Sequence, residues 1–177
     1  FLCLLITFKY HLRFNEGRKF HELKNANIQL HVKATNINEK FLGLKWITPK
    51  FKDNSRQEIL MINELIDYLH SDSRKKMLLT NYSFFSVVLN KKLFSPTRWH
   101  IGDGTDYPMK GNKYINSYKN LLIDLIKKND IKVIYSTYPL PETSLIYNYI
   151  NRNCFNEKKI FETLISYEIL ECSEING

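Results

Sequence analysis

The sequence predicts an α/β fold, with a three-layer, mostly parallel open sheet of about four strands and helices on both faces. Short apolar segments rich in β-branched residues alternate along the chain with longer segments whose apolar residues recur at helical spacing. Their order, strand–helix–strand–helix–loop–helix–strand–helix–strand, is typical of a parallel sheet with right-handed crossovers. Hydrophobic residues make up 44% of the 177 residues, a composition that forms a core.

The chain opens on an apolar octet, FLCLLITF, followed by the polar and basic segment KYHLRFNEGRK. Eight helical residues cover about 12 Å, whereas a bilayer crossing requires about 20 residues. The octet also lacks the charged n-region and the cleavage site of a signal peptide. We interpret residues 1–10 as the end of a truncated transmembrane helix, with Tyr10 at the membrane interface. The alternative is a buried N-terminal strand or helix of a soluble protein.

Residues 11–40 are polar with scattered apolar positions, and we interpret them as an amphipathic helical connector. One helix is predicted over about residues 18–36 because the apolar residues follow helical spacing. These residues are Phe20, Leu23, Ala26 (or Asn27) and Leu30. The rest of the chain, residues 41–177, is predicted to form a soluble α/β domain.

The first half of this domain contains two strand patterns, each followed by a helix pattern. LKWIT, which Pro49 stops, and KMLLT are short apolar segments that predict strands. Between them, Ser55 and Glu58 have the spacing of a capping box. An apolar helical stripe follows: Ile59, Ile62, Leu65, Ile66 and Leu69. NYSFFSVVL, which Asn81 or Ser83 can cap, predicts the second helix.

The second half continues the alternation after a long loop. NSYKNLLIDLIKKND predicts a helix whose inner side is apolar: Tyr118, Leu121, Leu122, Leu125 and Ile126. IKVIYST is β-branched and almost uninterrupted, as is typical of a strand covered on both faces. A short helix, LIYNYI, and a last strand, ISYEILEC, complete the order.

The candidate site lies where three segments follow the strands. Ligands of open parallel sheets bind beyond the C-terminal ends of the strands. The segment after KMLLT, the loop NKKLFSPTRWHIGDGTDYPMKGNKY and the segment after IKVIYST converge there, and their hydroxyls, amides and aromatic rings suit a saccharide. Helix N-termini near Ser83 and Ser144 would favour a phosphate or carboxylate. The predicted ligand-binding residues are Asn81, Tyr82, Ser83, Arg98, Trp99, His100, Asp103, Asp106, Tyr107, Thr137 and Tyr138.

Each charged residue of the loop also has a structural explanation. Asp103 and Asp106 could act as acid and base or hold a divalent cation, but Asp in a Gly-rich segment is more often a turn former. His100 has no second ligand or nucleophile at a suitable spacing, which favours a structural role. Arg98 either binds an anion or pairs with an aspartate. Phosphate fingerprints, metal-ligand spacings and a nucleophile elbow are absent from the sequence, so we predict no catalytic residue, metal or cofactor.

Charge and cysteines bear on partners and location. Of the 26 basic residues, 20 are lysines spread along the chain, so the net charge of +8 does not favour a nucleic-acid partner. Cys154 and Cys172 have 17 residues between them. A disulfide there would contribute about 3 kcal/mol and would indicate an oxidising compartment. The alternative is two buried free thiols.

Six segments stand out when they are taken in order: YHLRFNEGRKFHEL, GLKWITP, KMLLTNYSFFS, SPTRWH, DGTDYP and IKVIYSTYPL. Together they resemble the soluble C-terminal domain of polytopic, glycosyltransferase-like membrane proteins of marine bacteria. Those proteins fall in the same broad group as the dolichyl-phosphate-mannose mannosyltransferases. The similarity covers about residues 8–175, and its motifs identify a relative, not a reaction.

The resemblance implies a parent protein with many transmembrane helices and a polyprenyl-phosphate-linked sugar donor. In that group the catalytic carboxylate lies on an early extracytoplasmic loop, and the C-terminal domain helps to shape or bind the acceptor. No catalytic residue therefore carries over to this sequence. The resemblance also implies an extracytoplasmic (periplasmic) domain. The basic residues after the octet favour the cytoplasm, but the positive-inside rule has little weight for a long terminal domain.

Three functions remain open at this point. The leading one is an accessory domain that contacts an acceptor, a saccharide or a polyprenyl-phosphate sugar, while the N-terminal helix binds the bilayer. The second is a stand-alone soluble α/β enzyme acting on a phosphorylated or nucleotide-activated sugar, with Asp103, Asp106 and His100 catalytic. The third is a protein-interaction module without a small ligand.

Overall fold

The structure is a computed structural model that describes residues 1–13, 23, 26–97, 100, 106–137 and 145–176. The chain divides into two compact units, residues 1–64 and residues 65–177. The boundary falls within a long helix, α2 (Ser55–Ser71).

The first unit begins with helix α1 (Leu2–His11), which has no buried side chain. Its ten residues cover about 15 Å. Over the part of the chain that the structure describes, no helix has the length and apolar character needed to cross a membrane. The predicted N-terminal helix is therefore present, and its role in a membrane stays a prediction. The alternative of a buried N-terminal element is not what the structure has, because the side chains of α1 are exposed.

The helix predicted over residues 18–36 is wrong for residues 26–36. Three short 3₁₀ turns, Ile28–Leu30, Ala34–Asn36 and Glu39–Phe41, occupy this region instead, and β1 (Val32–Lys33) pairs antiparallel with β2 (Lys45–Trp46). The Asn27 side chain accepts a hydrogen bond from the backbone N–H of Gln29 at 3.0 Å. Such local bonds compete with helix formation. Residues 18–22, 24 and 25 of the predicted helix lie outside the described residues.

Helix α2 runs from Ser55 to Ser71, so Ser55, which the sequence predicted as the N-cap, is the first residue of the helix. The Asn54 side chain accepts from the backbone N–H of Gln57 at 3.3 Å and so caps the helix. Glu58, assigned by the sequence to a capping box, is completely buried. Its carboxylate accepts from Trp46 Nε1 at 2.8 Å and from Thr48 Oγ1 at 2.7 Å. Glu58 thus fastens the segment around β2 to the first turn of α2.

The second unit contains a four-stranded sheet with the strand order β3–β4–β6–β5. Its strands are β3 (Lys76–Leu79), β4 (Val133–Thr137), β5 (Phe155–Phe161) and β6 (Leu164–Ile169). β3 and β4 are parallel, whereas β6 is antiparallel to both β4 and β5. The sheet is therefore mixed, and the prediction of a mostly parallel sheet is wrong. The predicted strand at LKWIT lies in the separate two-stranded sheet.

The difference has one source, the unpredicted strand β5. Its sequence, FNEKKIF, is mostly polar, and most of its side chains are exposed or half-buried. It forms a hairpin with β6, so the chain reverses direction between β4 and β6. A strand at the edge of a sheet needs no continuous apolar run, because only one of its edges is paired and its charged residues discourage aggregation.

Helical side chains cover both faces of this sheet. The ring of Tyr68 in α2 packs edge-on against that of Tyr135, with 5.9 Å between the ring centroids. The neighbouring residue of β4, Ile134, points the opposite way and belongs to the main core with Leu122 and Ile126 of α4 (Ile115–Asn129). Two short helices, α3 (Phe85–Leu89) and α5 (Ser173–Asn176), complete the unit. The α/β class is confirmed.

The structure contains the disulfide that the sequence predicted between Cys154 and Cys172, with a Cα–Cα distance of 5.4 Å. Cys154 precedes β5, and Cys172 immediately precedes α5. The bridge therefore ties the last residues of the chain to the edge of the sheet.

Candidate functional site

A cleft of about 320 Å³ lies beside the C-terminal end of β3. Its described lining consists mainly of hydroxyl-bearing and aromatic side chains. The lining residues are Leu78, Thr80, Tyr82, Ser83, Ser86, Lys92, Leu93, Phe94, Ser95 and Thr97. We call this feature the β3 cleft.

One wall of the β3 cleft is a loop segment that runs along the outer edge of β3. The Leu78 N–H donates to Leu93 O at 3.0 Å, the Ser95 hydroxyl donates to Leu78 O, and the His100 N–H donates to Thr80 O at 3.1 Å. These bonds satisfy strand groups that β4, on the other side, does not reach. The loop is therefore held in a defined position relative to the sheet.

The other wall is the turn that enters α3. Thr80 Oγ1 accepts from the Tyr82 N–H at 3.0 Å, a local bond that ends the strand and starts the turn. The Tyr82 ring stacks on that of Phe84 at 5.4 Å, and Phe84 stacks on Phe85 at 4.7 Å. Phe85 is completely buried, so this stack anchors Tyr82 to the core.

Behind the cleft is a buried aromatic cluster formed by His100, Tyr107, Tyr118 and Tyr149. The His100 ring stacks on the Tyr107 ring with 4.4 Å between their centroids, and the centroids of the Tyr118 and Tyr149 rings are 4.7 Å apart. A hydrogen bond joins Tyr118 to Thr97 of the cleft. Burial raises the pKa of Tyr149 to about 12. The cluster is a support for the loop wall, because these rings face each other within the core.

His100 is neutral and enclosed. Its side chain is 3% exposed, and burial lowers its pKa to about 4. Neither ring nitrogen has a hydrogen-bond partner among the residues that the structure describes. An imidazole of such low pKa is a weak base at neutral pH, and its enclosure keeps it from a ligand in the β3 cleft.

The structure brings together only some of the predicted site residues. Tyr82 and Ser83 line the β3 cleft, and the half-buried Asn81 precedes them. Tyr107 is 3% exposed and part of the core, and Asp106 beside it is half-buried. Thr137 is also buried, and its hydroxyl donates to Thr163 O at 2.8 Å within the sheet. Outside the described residues lie Arg98, Trp99, Asp103 and Tyr138.

Sequence reasoning placed Thr80 and the loop after residue 90 at the site, but it did not single out several lining residues: Ser86, Lys92, Phe94, Ser95 and Thr97. Ser86 follows Ser83 by three residues at the start of α3, the spacing of neighbours on one helix face. That spacing was a usable signal. The contribution of Lys92 and Ser95 depends on how the loop runs along β3, which no local pattern indicates.

A second polar cluster surrounds Arg74, just before β3. Arg74 Nε donates to Asp72 at 3.0 Å, Nη1 to Glu168 at 2.7 Å, and Nη2 to the Tyr135 hydroxyl at 3.1 Å. The Tyr135 hydroxyl in turn donates to Asp72 at 2.6 Å. Burial alone would raise the pKa of Asp72, but the bonds from Arg74 and Tyr135 hold it below its usual value. Since these partners engage all three guanidinium nitrogens, we assign the cluster a structural role.

Within the described residues, no group of three His, Cys, Asp or Glu side chains could hold a metal ion. Comparisons of the chain with protein-family models, with curated proteins and with solved structures give no match. The resemblance to glycosyltransferase-like membrane proteins therefore stays a prediction.

Proposed function

We propose that the chain is a noncatalytic accessory domain of a membrane-bound, glycosyltransferase-like protein, and that its β3 cleft binds a saccharide of the acceptor. The observation that carries the proposal is the lining of the cleft. Ser83, Ser86 and Ser95, which carry hydroxyl groups, line it together with the aromatic residues Tyr82 and Phe94. A sugar presents hydroxyls around its ring and C–H groups on its faces, so this mixture of groups suits it.

The hydrogen bonds of the lining support a polar ligand. The Ser86 hydroxyl donates to Ser83 O at 3.2 Å, and the Ser95 hydroxyl donates to Leu78 O. A hydroxyl oxygen whose proton is donated to a carbonyl can still accept a hydrogen bond from a ligand. Sugar hydroxyls can supply the protons. The volume of about 320 Å³ is at the small end of the usual range for ligand sites, so we expect a short saccharide.

Helix α1 supports the membrane part of the proposal. Its apolar side chains are exposed on every side, with Leu2 and Leu4 70% and 72% exposed and Phe8 62% exposed. A helix that is apolar all round is typical of a protein interior or of hydrocarbon. Lys9 and Tyr10 at its end suit the lipid headgroup region. The disulfide, which persists in oxidising compartments, favours the periplasmic side.

The saccharide proposal can be tested by titrating the 177-residue chain with a panel of short saccharides and following backbone amide shifts by NMR. We expect shifts at residues 80–97. Ser83→Trp, at an exposed residue, would fill part of the cleft and weaken binding about tenfold or more. Ser117→Trp, on the exposed side of α4, is the matched control and should leave affinity unchanged.

Two results would contradict the proposal. The first is the absence of binding by every saccharide at millimolar concentration to a chain that NMR shows to be folded. The second is turnover of a nucleotide-activated or phosphorylated sugar by the isolated chain, which would favour the enzyme hypothesis instead.

A further inference from the structure

We infer that the β3 cleft selects saccharides bearing an anionic group, and that Lys92 is the residue that makes this selection. The inference rests on the saccharide cleft proposed above and specifies its ligand class. It concerns a residue to which the sequence assigned no role.

The charge of the described lining favours an anion. Among the described residues that line the cleft, Lys92 is the only charged side chain and no carboxylate is present. None of the ion pairs formed between described residues includes Lys92. Lys75, Lys119 and Lys132, in contrast, each pair with a carboxylate. An ammonium group at a cleft without a carboxylate attracts an anion.

The ammonium group of Lys92 lies beside an aromatic ring of the cleft. Lys92 Nζ lies 5.0 Å from the centroid of the Phe94 ring, within the range of a cation–π contact. Phe94 has a left-handed backbone with a φ of 48°, and both residues line the cleft. The ring therefore limits the orientations of the lysine side chain. Three ammonium protons are available there as donors.

The serines and the lysine of the cleft have different hydrogen-bonding roles. Ser86 and Ser95 donate their protons to backbone carbonyls, so they offer acceptors to a ligand. Acceptors suit sugar hydroxyls and repel an anion. An anionic substituent is therefore directed to Lys92, while the neutral part of the sugar meets the serines.

A phosphate ester and a uronic acid carboxylate share this chemistry. Isothermal titration calorimetry at low salt can compare four probes: a hexose, the hexose 1-phosphate, the hexuronate and inorganic phosphate. We expect both anionic sugars to bind about tenfold more tightly than the hexose, the value of one charge-assisted contact of about 1.4 kcal/mol. The ratio of the two anionic sugars identifies the preferred group, and weak binding of inorganic phosphate shows that the sugar is needed.

Lys92→Met should abolish the preference for the anionic sugars and leave hexose affinity unchanged, and Lys92→Arg should retain it. Lys91→Met is the matched control, since it removes the same charge one residue away. Lys91 does not line the cleft, and its Nζ donates to His70 O at 3.2 Å. The Lys91→Met variant should prefer the anionic sugars over the hexose to the same degree as the unaltered chain.

Equal affinities for the hexose and the anionic sugars would overturn the inference while leaving the saccharide cleft intact. Persistence of the preference in Lys92→Met would overturn it as well. If inorganic phosphate binds as tightly as the hexose 1-phosphate and the hexose does not bind, the site is an anion site and both proposals fall. Failure of all four probes to bind has the same consequence.

Discussion

At the scale of single residues, a buried lysine closes the C-terminal end of α2. Lys76 is 3% exposed, and its Nζ donates to Leu69 O at 2.8 Å and to Asp72 O. Backbone carbonyls at a helix end lack partners within the helix, and a lysine can supply them. Burial lowers the pKa of Lys76, and the Asp72 carboxylate at 4.0 Å partly offsets this.

We therefore predict that Lys76→Met lowers the free energy of unfolding by about 2–3 kcal/mol, because it leaves two carbonyls without their donor. Lys75→Met is the control. Lys75 is exposed and only faces Asp130 at 3.8 Å, so its loss should cost less than about 0.5 kcal/mol. Urea denaturation measures both. Equal effects of the two variants would contradict the conclusion that Lys76 stabilises the C-terminal end of α2.

His100 predicts a dependence of stability on pH. Its folded pKa of about 4 is below the unfolded value of 6.5. The unfolded chain therefore binds the proton more readily. Above pH 6.5, neutral His100 makes its full contribution to the free energy of unfolding. This contribution is lost as the pH falls towards 4. This loss amounts to about 3 kcal/mol.

Urea midpoints between pH 7.5 and pH 4.5 test this prediction. His100→Phe, which can still stack on Tyr107, should show a smaller decrease in stability over this range than the unaltered chain. Both proteins contain the same carboxylates, so their effect on stability cancels when one curve of stability against pH is subtracted from the other. Parallel curves would show that His100 titrates as it does in the unfolded chain.

At the scale of elements, the long helices were predictable and the edge strand was not. α2 and α4 carry apolar stripes over four turns, a local property of contiguous residues. β5 has the polar sequence FNEKKIF, whose side chains are largely exposed, so it lacks an apolar pattern. The expected helix over residues 18–36 shows the opposite error: its spacing was helical, but Asn27 directs the backbone into a turn.

Helix α1 gives a prediction at this scale. We expect the chain to float with liposomes of bacterial lipid composition, because the apolar side chains of α1 are exposed. Leu5→Asp with Phe8→Asp should reduce the bound fraction about tenfold or more, since each carboxylate opposes entry into hydrocarbon. Leu42→Asp is the control: Leu42 is 84% exposed and lies outside α1. A chain that stays in the aqueous fraction would contradict the lipid-binding role.

At the scale of the whole molecule, three contacts fasten the last residues of the chain to the second unit. The Cys154–Cys172 disulfide is one, and Glu174 provides the other two. Its carboxylate pairs with Lys119 of α4 and accepts from the Asn151 N–H at 2.8 Å. Ile175, 2% exposed, is thereby held in the core.

Reduction of this disulfide should lower the free energy of unfolding by about 3 kcal/mol, because the unfolded chain regains the entropy of an open loop. Amide hydrogen exchange should increase first in residues 171–176. Cys3→Ser is the control, as Cys3 is an exposed free thiol. Thiol labelling should find one reactive cysteine before reduction and all three afterwards. An unchanged urea midpoint in the presence of reductant would contradict the prediction.

The candidate site was predictable in position and only partly in composition. The end of β3 was expected to carry it, and Tyr82 and Ser83 do line the β3 cleft. Tyr107 and Thr137 were expected beside them, but both are buried, and the Thr137 hydroxyl is bonded within the sheet. Whether a tyrosine faces a ligand or the core depends on the elements packed around it, which its neighbours in the sequence do not indicate.

The sequence by itself determined the α/β class, the extents of α2 and α4, and the strands β3 and β4. These features follow from apolar periodicity, capping and spacing within short segments. Only the tertiary structure decided the direction of β6 and the walls of the β3 cleft. Both depend on hydrogen bonds between different segments of the chain: those of β6 to β4, and those of Leu93, Ser95 and His100 to β3. Their free energy is gained only when the chain has folded.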